Sequence, residues 1–254
     1  MMLGSRNVKQ IACPLCNEEQ DTIINGHYPI PEKQEIAFDK ENGFAFCNCR
    51  DIFFGDWKNI EQAVYDSKYT DKYQGEVTNK YFRQYFATYY PIIKPLKSSG
   101  KFLEIGCVNK TLLDCFKTAG FDTYSLDIIE HSWEGHNNIT ADFEKYRTND
   151  KFAVVWASHV FEHFKRPVEA FTSVFEVLEN GGVCFIAMPD PYFIDWNQPY
   201  SWGHWHLREH HIMWNMDSLC AQLEELGFEI VQAIHNIGSE FVCNGDMHLI
   251  IRKP

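Results

Sequence analysis

An acid, a glycine and a second acid carry the first chemistry of this chain: Glu104, Gly106 and, about 20 residues on, Asp127. A glycine closing a buried strand lets the backbone approach a ligand with no Cβ between them. A carboxylate closing the next strand is placed to hold a ribose diol. The dinucleotide pattern G-x-G-x-x-G is absent, because Cys107, Val108, Asn109 and Lys110 follow Gly106. A pyrophosphate needs bare backbone beneath it at the helix N-terminus, so the pattern argues against a nicotinamide dinucleotide. It suits an adenosine ligand without a pyrophosphate, and S-adenosylmethionine is such a ligand.

Two further constellations stand apart from this one. Cys13-x-x-Cys16 is answered by Cys47-x-Cys49 after a long polar loop containing Gly26, Pro29 and Pro31. Four thiolates in two close pairs can close a tetrahedral structural zinc site, which leaves no open position for water. The alternative is four ordinary reduced cysteines. Between Pro189 and Trp214, His204, His206, His210 and His211 stand among Tyr192, Phe193, Trp196, Tyr200, Trp202 and Trp205. An insertion so aromatic after a strand reads as the wall of an acceptor pocket. Its histidines suit a general base, with His210 and His206 foremost and His163 a further candidate. His204, His206 and His210 could instead ligate a metal, and the tryptophans could be plain packing.

The elements that must position these residues are legible from periodicity. Phe102–Ile105 reads as a short strand, Thr111–Ala119 as a helix stopped by Gly120, and Asp122–Ile128 as a second strand. Together they form one right-handed βαβ unit with its ligand at the carboxyl ends of the strands. Lys151–Ser158 and Val183–Met188 read as strands around a helix over Pro167–Leu178, and a helix over Ser218–Leu226 precedes strands at Phe228–Ala233 and Met247–Arg252. The alternation predicts a doubly wound sheet. Residues 56–98 read as connecting helices rich in aromatics, with Phe82, Phe86 and Tyr89 on one face, Tyr81 and Tyr85 on another, and Pro91 and Pro95 ending the segment. One of Tyr69, Tyr73 or Tyr81 is a candidate to close over the cofactor pocket.

Composition limits the partners. A net charge of -12 with no basic run argues against nucleic acid. No stretch reaches the ~20 apolar residues of a membrane span, and Met1–Gln10 has no apolar signal core. Nine scattered cysteines are unlike a secreted disulfide scaffold, so the expected setting is cytoplasmic with reduced thiols.

From about residue 100 to 254 the chain resembles the class I S-adenosylmethionine-dependent methyltransferases. The likeness rests on Phe152-Ala-Val-Val-Trp-Ala-Ser-His159-Val-Phe-Glu-His163, on Leu178-Glu-Asn-Gly-Gly182 and on Leu226-Gly-Phe228. The front half is similar to the zinc-binding region that precedes some sugar C-methyltransferases and related small-molecule enzymes. The resemblance implies that Glu104, Gly106 and neighbouring Cys107 line the methionine part of the cofactor, and that Asp127, with Ile128 beside it, holds the ribose. It implies that Asp142 and Phe143 meet the adenine, and that Ala157, Ser158 and His159 lie beside the sulfonium. Val108 and Lys110 depart from it, since most relatives carry glycine there.

The expected fold is α/β, a Rossmann-like doubly wound sheet with a small N-terminal zinc-ribbon-like module. The expected layout is a zinc-binding module over residues 1–55, connecting helices over 56–98 and a methyltransferase domain over 99–254. The expected activity is methyl transfer to oxygen or carbon of a small polar acceptor, a sugar or similar metabolite. A non-catalytic binding module that keeps the fold is the second reading, supported only by the degenerate glycine motif.

Overall fold

The computed structural model describes residues 10–23, 44–47, 49, 52–55, 67–195, 202–204, 209–236 and 245–254. Tyr65, Trp196, Tyr200, Trp205, His206 and the loop with Gly26, Pro29 and Pro31 lie outside the described residues.

Four short strands open the chain: β1 Gln10–Ala12, β2 Glu19–Ile23, β3 Phe44–Cys47 and β4 Ile52–Gly55. Helices α1 Ser67–Asp71 and α2 Glu76–Ile93 follow. The larger sheet is built from β5 Gly100–Ile105, β6 Phe121–Asp127, β7 Asn137–Thr140, β8 Phe152–Ser158, β9 Leu178–Pro189, β11 Glu229–Asn236 and β12 Asp246–Arg252. Between them run α3 Thr111–Thr118, α4 Pro167–Val177, the two-residue strand β10 Ile212–Met213 and α5 Met216–Glu225.

The seven strands lie in the order β11-β12-β9-β8-β5-β6-β7. From β9 to β7 all neighbours pair in parallel, while β12 is antiparallel to both β9 and β11. The chain steps outward from β5 through β6 to β7, then returns to the other side of β5 with β8. That reversal between β5 and β8 is the switch point at which open α/β sheets leave a crevice.

Alternation along the strands splits the core into two layers. Phe102, Val154, Trp156, Phe185 and Ile250 face α2 and α3, whereas Leu103, Val155, Ala157, Ile186 and Leu249 face α4 and α5. The helix stripes match: Phe82, Tyr85, Tyr89 and Ile93 are buried from α2, and Ala170, Phe171 and Val174 from α4. This revises the face assigned to the first of these helices, because Tyr85 joins the buried stripe and Phe86 sits only partly buried beside it. Pro91 lies inside the last turn of α2 and does not end it. So close to the C-terminus its missing N–H forfeits a single helical bond. The buried aromatics also hold a polar group, His248 of β12, whose ring nitrogens meet the hydroxyls of Tyr85 (3.1 Å) and Tyr89.

The small sheet has the order β1-β2-β3-β4-β10, antiparallel throughout. Its last strand comes from the far end of the sequence: Ile212 and Met213 pair with Phe54 and Phe53. Cys13, Cys47 and Ile52 accordingly share one buried cluster with Phe171, Trp214 and Leu219.

Candidate active site

A cavity of about 490 Å³ opens at the carboxyl ends of β5, β6 and β8. Its size falls within the ~300–1,000 Å³ usual for a small-molecule site. One wall is the turn after β5, with Ile105, Gly106 and Val108; a second is the end of β6, Leu126 to Ile129. Ala141 to Lys145 follow β7, and His159, Val160 and the stretch His163 to Arg166 follow β8. Tyr69 of α1 completes the lining. Its hydroxyl accepts a hydrogen bond from the Tyr73 hydroxyl at 3.3 Å, and the two rings lie 5.4 Å apart. Tyr69 is thus the tyrosine that reaches the pocket, while Tyr81 packs against Tyr85 with ring centroids 4.6 Å apart.

Gly106 adopts φ +71°, and a Cβ there would stand 2.5 Å from Val160 Cγ2. The glycine is therefore required by backbone conformation and by the neighbouring wall. The residues after it replace the missing glycines by a polar strap. Asn109 Oδ1 accepts from Thr111 N–H at 2.9 Å where α3 begins, while its amide donates to Asn79 Oδ1 (3.0 Å) and Tyr73 O (2.8 Å). The Gln74 amide donates to Val108 O at 2.7 Å. The α1–α2 segment, which carries Tyr69, is thereby tied to the loop at the cavity floor.

Asp127 is buried at the cavity wall, its Oδ1 accepting from Ile129 N–H at 2.8 Å. Burial pushes its carboxyl up to about 6, against the backbone N–H groups of Ile129 and Ile128, which pull it down. A ribose held by Asp127 would donate to the ionised form, so adenosine-ligand affinity is expected to fall as pH drops through 6, about tenfold per unit below it. Calorimetry with S-adenosylhomocysteine between pH 5 and 8 reads this directly, and a flat profile would separate the ligand from Asp127. Glu104 is buried, with Oε2 lacking a hydrogen-bond partner. Burial first, and then the Asp127 charge, raise its carboxyl to about 8 despite a hydrogen bond from Cys107.

Of the ten residues the resemblance points to for the cofactor, Gly106, Asp127, Ile128, Asp142, Phe143 and His159 line the cavity; Glu104, Cys107, Ala157 and Ser158 do not. Ile128 is 53% exposed, an unusual state for isoleucine, and offers an apolar face at the rim. Phe143 is buried and stacks against Phe164 at 5.9 Å. The Asp142 carboxylate already has partners: Oδ1 accepts from Glu144 N–H at 3.0 Å, and Oδ2 meets Lys145 Nζ at 2.8 Å.

Beyond His159 lies a cluster of imidazoles around two carboxylates. His159 itself has φ +55°, a left-handed conformation uncommon outside glycine, and such strain gathers at functional positions. Its Nε2 is 3.1 Å from Asp246 Oδ2 and its Nδ1 3.4 Å from Glu162 Oε1. His204 Nε2 stands 3.4 Å from Asp246 Oδ1. His163 and His210 turn their Nε2 atoms toward Glu162 Oε1, at 3.8 and 4.0 Å. Their Nδ1 atoms donate to backbone carbonyls of Glu209 and His204, each at 2.8 Å. A carbonyl only accepts, so each ring carries a proton on Nδ1, and Nε2 is the atom left to exchange one. Glu162 and Asp246 have fully buried side chains, and neither Glu162 oxygen has a hydrogen-bond partner. Burial alone would raise the Asp246 carboxyl, but His159, His248 and His204 together outweigh it and hold it down to about 2. His211 is a different case: burial, then the nearby His163 and Lys165, push it down to about 4, so it is a neutral packing residue.

The sequence offered Glu162 within the motif that follows β8, yet its role went unread. Asp246 carried no local signal at all. It arrives because β12 lies beside β9, with Asp246 opposite Pro189.

The cysteines form the other constellation. Cys13 and Cys16 flank the β1–β2 turn, while Cys47 closes β3 and Cys49 follows it before β4. Sγ of Cys13 lies 3.6 Å from that of Cys49, and Cys16 Sγ 3.5 Å from that of Cys47. A tetrahedron with metal–sulfur bonds of ~2.3 Å has edges near ~3.8 Å. Backbone N–H groups of Leu15 and Cys49 point at the sulfurs of Cys13 and Cys47, at 3.5 and 3.4 Å.

Comparison with known proteins adds the family. Residues 77–233 match the profile of the methyltransferase domain family, which is more than half of the chain. The chain belongs to this family. It is an S-adenosylmethionine-dependent methyltransferase, and the seven-stranded mixed sheet is the class I methyltransferase fold. Among solved structures it is similar to the magnesium protoporphyrin IX methyltransferase of Synechocystis with bound S-adenosylhomocysteine. That pair has 12% identity and a TM-score of 0.57, over 74% of this chain and 93% of the other. The N-methyltransferase NodS of Bradyrhizobium japonicum, also with S-adenosylhomocysteine, gives 12% identity and a TM-score of 0.56, covering 74% and 98%. A methyltransferase of Clostridium acetobutylicum gives 12% and 0.52, covering 73% and 97%. At such identities the likeness concerns the fold. No curated protein matches the sequence. Among the described residues, no helix is long and apolar enough to cross a membrane.

Proposed function

We propose that this methyltransferase acts at an oxygen or carbon of a small polar acceptor, a sugar or similar metabolite, with His163 as the general base. The observation that carries the reading is His163 on the cavity wall, its Nδ1–H anchored on the Glu209 carbonyl and its Nε2 turned toward buried Glu162. That tautomer accepts a proton at Nε2, and the Glu162 carboxylate stabilises the imidazolium that forms, at a distance too long for a hydrogen bond. His210 presents the same tautomer but does not line the cavity, so we assign it to positioning. His206 lies outside the described residues.

The cavity fits S-adenosylmethionine, which supplies a methyl group already activated on a sulfonium. Asp127 would hold the ribose, Ile128 and Phe143 the adenine, and Asp142 its exocyclic amine once Lys145, which is exposed, gives way. Gly106 would let the backbone approach the methionine part, and His159 would stand beside the sulfonium. Glu104 and Cys107 would support that end from below, as Ala157 and Ser158 would support His159. Tyr69 would close the site from α1 and exclude water. A net charge of -12 supports a small acceptor over nucleic acid, and nine cysteines scattered along the chain, unlike a secreted disulfide scaffold, support a cytoplasmic setting.

The four cysteines, in our reading, hold a structural zinc ion within a ribbon-like module over residues 1–55, ahead of connecting helices over 56–98 and the methyltransferase domain over 99–254. The sulfur spacings of 3.5 and 3.6 Å support it.

The test is transfer of a labelled methyl group to a panel of sugar nucleotides and other hydroxylated metabolites. His163→Gln is expected to lower turnover about 10²–10⁴-fold while leaving S-adenosylhomocysteine affinity unchanged. Label that reaches only protein or RNA would overturn the acceptor class, and undiminished turnover would remove His163 from the reaction.

A further inference from the structure

The geometry points to a divalent transition-metal site at the cavity wall, formed by His159, His204 and Asp246. Their ligand atoms lie within 4.8 Å of one another. Asp246 Oδ2 is 3.1 Å from His159 Nε2, and Oδ1 is 3.4 Å from His204 Nε2. These are the separations of neighbouring ligands around an ion with bonds of ~2.0–2.2 Å.

Three observations support this set. The Asp246 side chain is fully buried, and its Oδ1 has no hydrogen-bond partner; buried carboxylates are paired or bind metal. His159 Nδ1 faces the carboxylate of Glu162 at 3.4 Å. His159 Nε2 hydrogen-bonds Asp246 Oδ2 at 3.1 Å, and a cation bound between them would take the place of that proton. A carboxylate behind a histidine behind a metal is the usual outer support of such ligands, fixing tautomer and raising basicity. Lastly, the imidazoles are 28% and 20% exposed while Asp246 is closed off. The free coordination positions therefore lie on the imidazole side, where His159 lines the cavity.

Two imidazoles and one carboxylate suit Zn²⁺, Fe²⁺, Co²⁺ or Ni²⁺ better than Mg²⁺ or Ca²⁺. Three protein ligands leave positions open for exchangeable oxygen ligands. The acceptor class follows: a molecule with paired oxygens, vicinal hydroxyls or a hydroxy-carboxylate, that chelates the ion and is thereby oriented for His163. This part rests on the small polar acceptor proposed above; the metal site does not.

The experiment titrates Co²⁺ into full-length protein freed of loosely bound metal, following heat and visible absorption. One equivalent is expected with ligand-field bands and without the thiolate charge-transfer absorption that cobalt at the four cysteines would give. Asp246→Asn and His204→Ala are each expected to weaken that equivalent by more than the ~10–100-fold that loss of an outer hydrogen bond costs. His204→Ala alters a partly exposed side chain and guards against misfolding of the buried variant. Equal Co²⁺ affinity in wild type and His204→Ala, or thiolate-type absorption alone, would overturn the site. S-adenosylhomocysteine binding, measured on the same samples, reports separately on the cofactor reading.

Discussion

Asp127→Ala is expected to weaken S-adenosylhomocysteine binding on the order of 100-fold, since the ribose diol loses a charged acceptor worth ~1.5–3 kcal/mol per hydrogen bond. The residue also receives the Ile129 N–H and sits at the end of β6, where the backbone carbonyl of Asp127 accepts from Ala141 N–H at 2.9 Å. A loosened turn is therefore a competing cause of any loss. Asp127→Asn separates the two, because an amide oxygen still closes the turn but carries no charge; its affinity should fall between wild type and alanine. Calorimetric titration reads the affinities, and a melting curve shows that the variants remain folded. Unchanged affinity in both variants would place the ribose elsewhere. Failure of the wild type to bind would mean that the loop through Val108 and Lys110, strapped by Gln74 and Asn109, closes the cavity.

The second large effect concerns the thiols. Cys47→Ser is expected to abolish one tightly bound zinc equivalent and to destabilise the protein by more than ~4 kcal/mol, in the range reserved for loss of a metal or a core contact. Cys47 is buried and belongs to the same apolar cluster as Trp214 and Leu219, so the damage will not stay within the small sheet. Ile212 and Met213 of β10 pair with β4 and follow His210 by only a few residues. Releasing the thiolate site should therefore unlatch β10, raise amide exchange at Ile212 and Met213, and reduce methyl transfer without abolishing cofactor binding. Elemental analysis, chemical denaturation and hydrogen exchange test the three steps in turn. Wild-type zinc content in the variant would return the four cysteines to ordinary reduced thiols.

Much of the fold was legible because its signals are local. The βαβ unit through Gly106 and Asp127 could be read from apolar runs, a helical stripe and two glycine stops, and the structure places its elements within a residue or two. Strands at 152–158, 229–236 and 246–252 announced themselves in the same way. Less legible were β7, whose pattern is mostly exposed, and β10, whose two residues carry no periodicity. The aromatic helix was read with its face rotated, because eleven of its eighteen positions are apolar or tyrosine and composition alone cannot choose between stripes. Contact with Phe185, Trp156 and His248 makes the choice.

For the site, the sequence by itself determined what one segment can hold: an acid, a glycine and a second acid at the ends of adjacent strands, two cysteine pairs, and a store of histidines. It could not decide how those histidines are shared. Nothing local links Asp246 to His159 or His204, or Glu162 to His210, since those partners lie 87, 42 and 48 positions apart in a single chain. Sheet order decides the first by laying β12 beside β9, and the bond from His211 N–H to the Glu162 carbonyl at 2.6 Å holds His210 near Glu162 in the third. Periodicity reports which face of an element is buried. Only the closed tertiary structure brings charges together and takes water from between them, and that is what gathers His159, His163, His204 and His210 around Glu162 and Asp246.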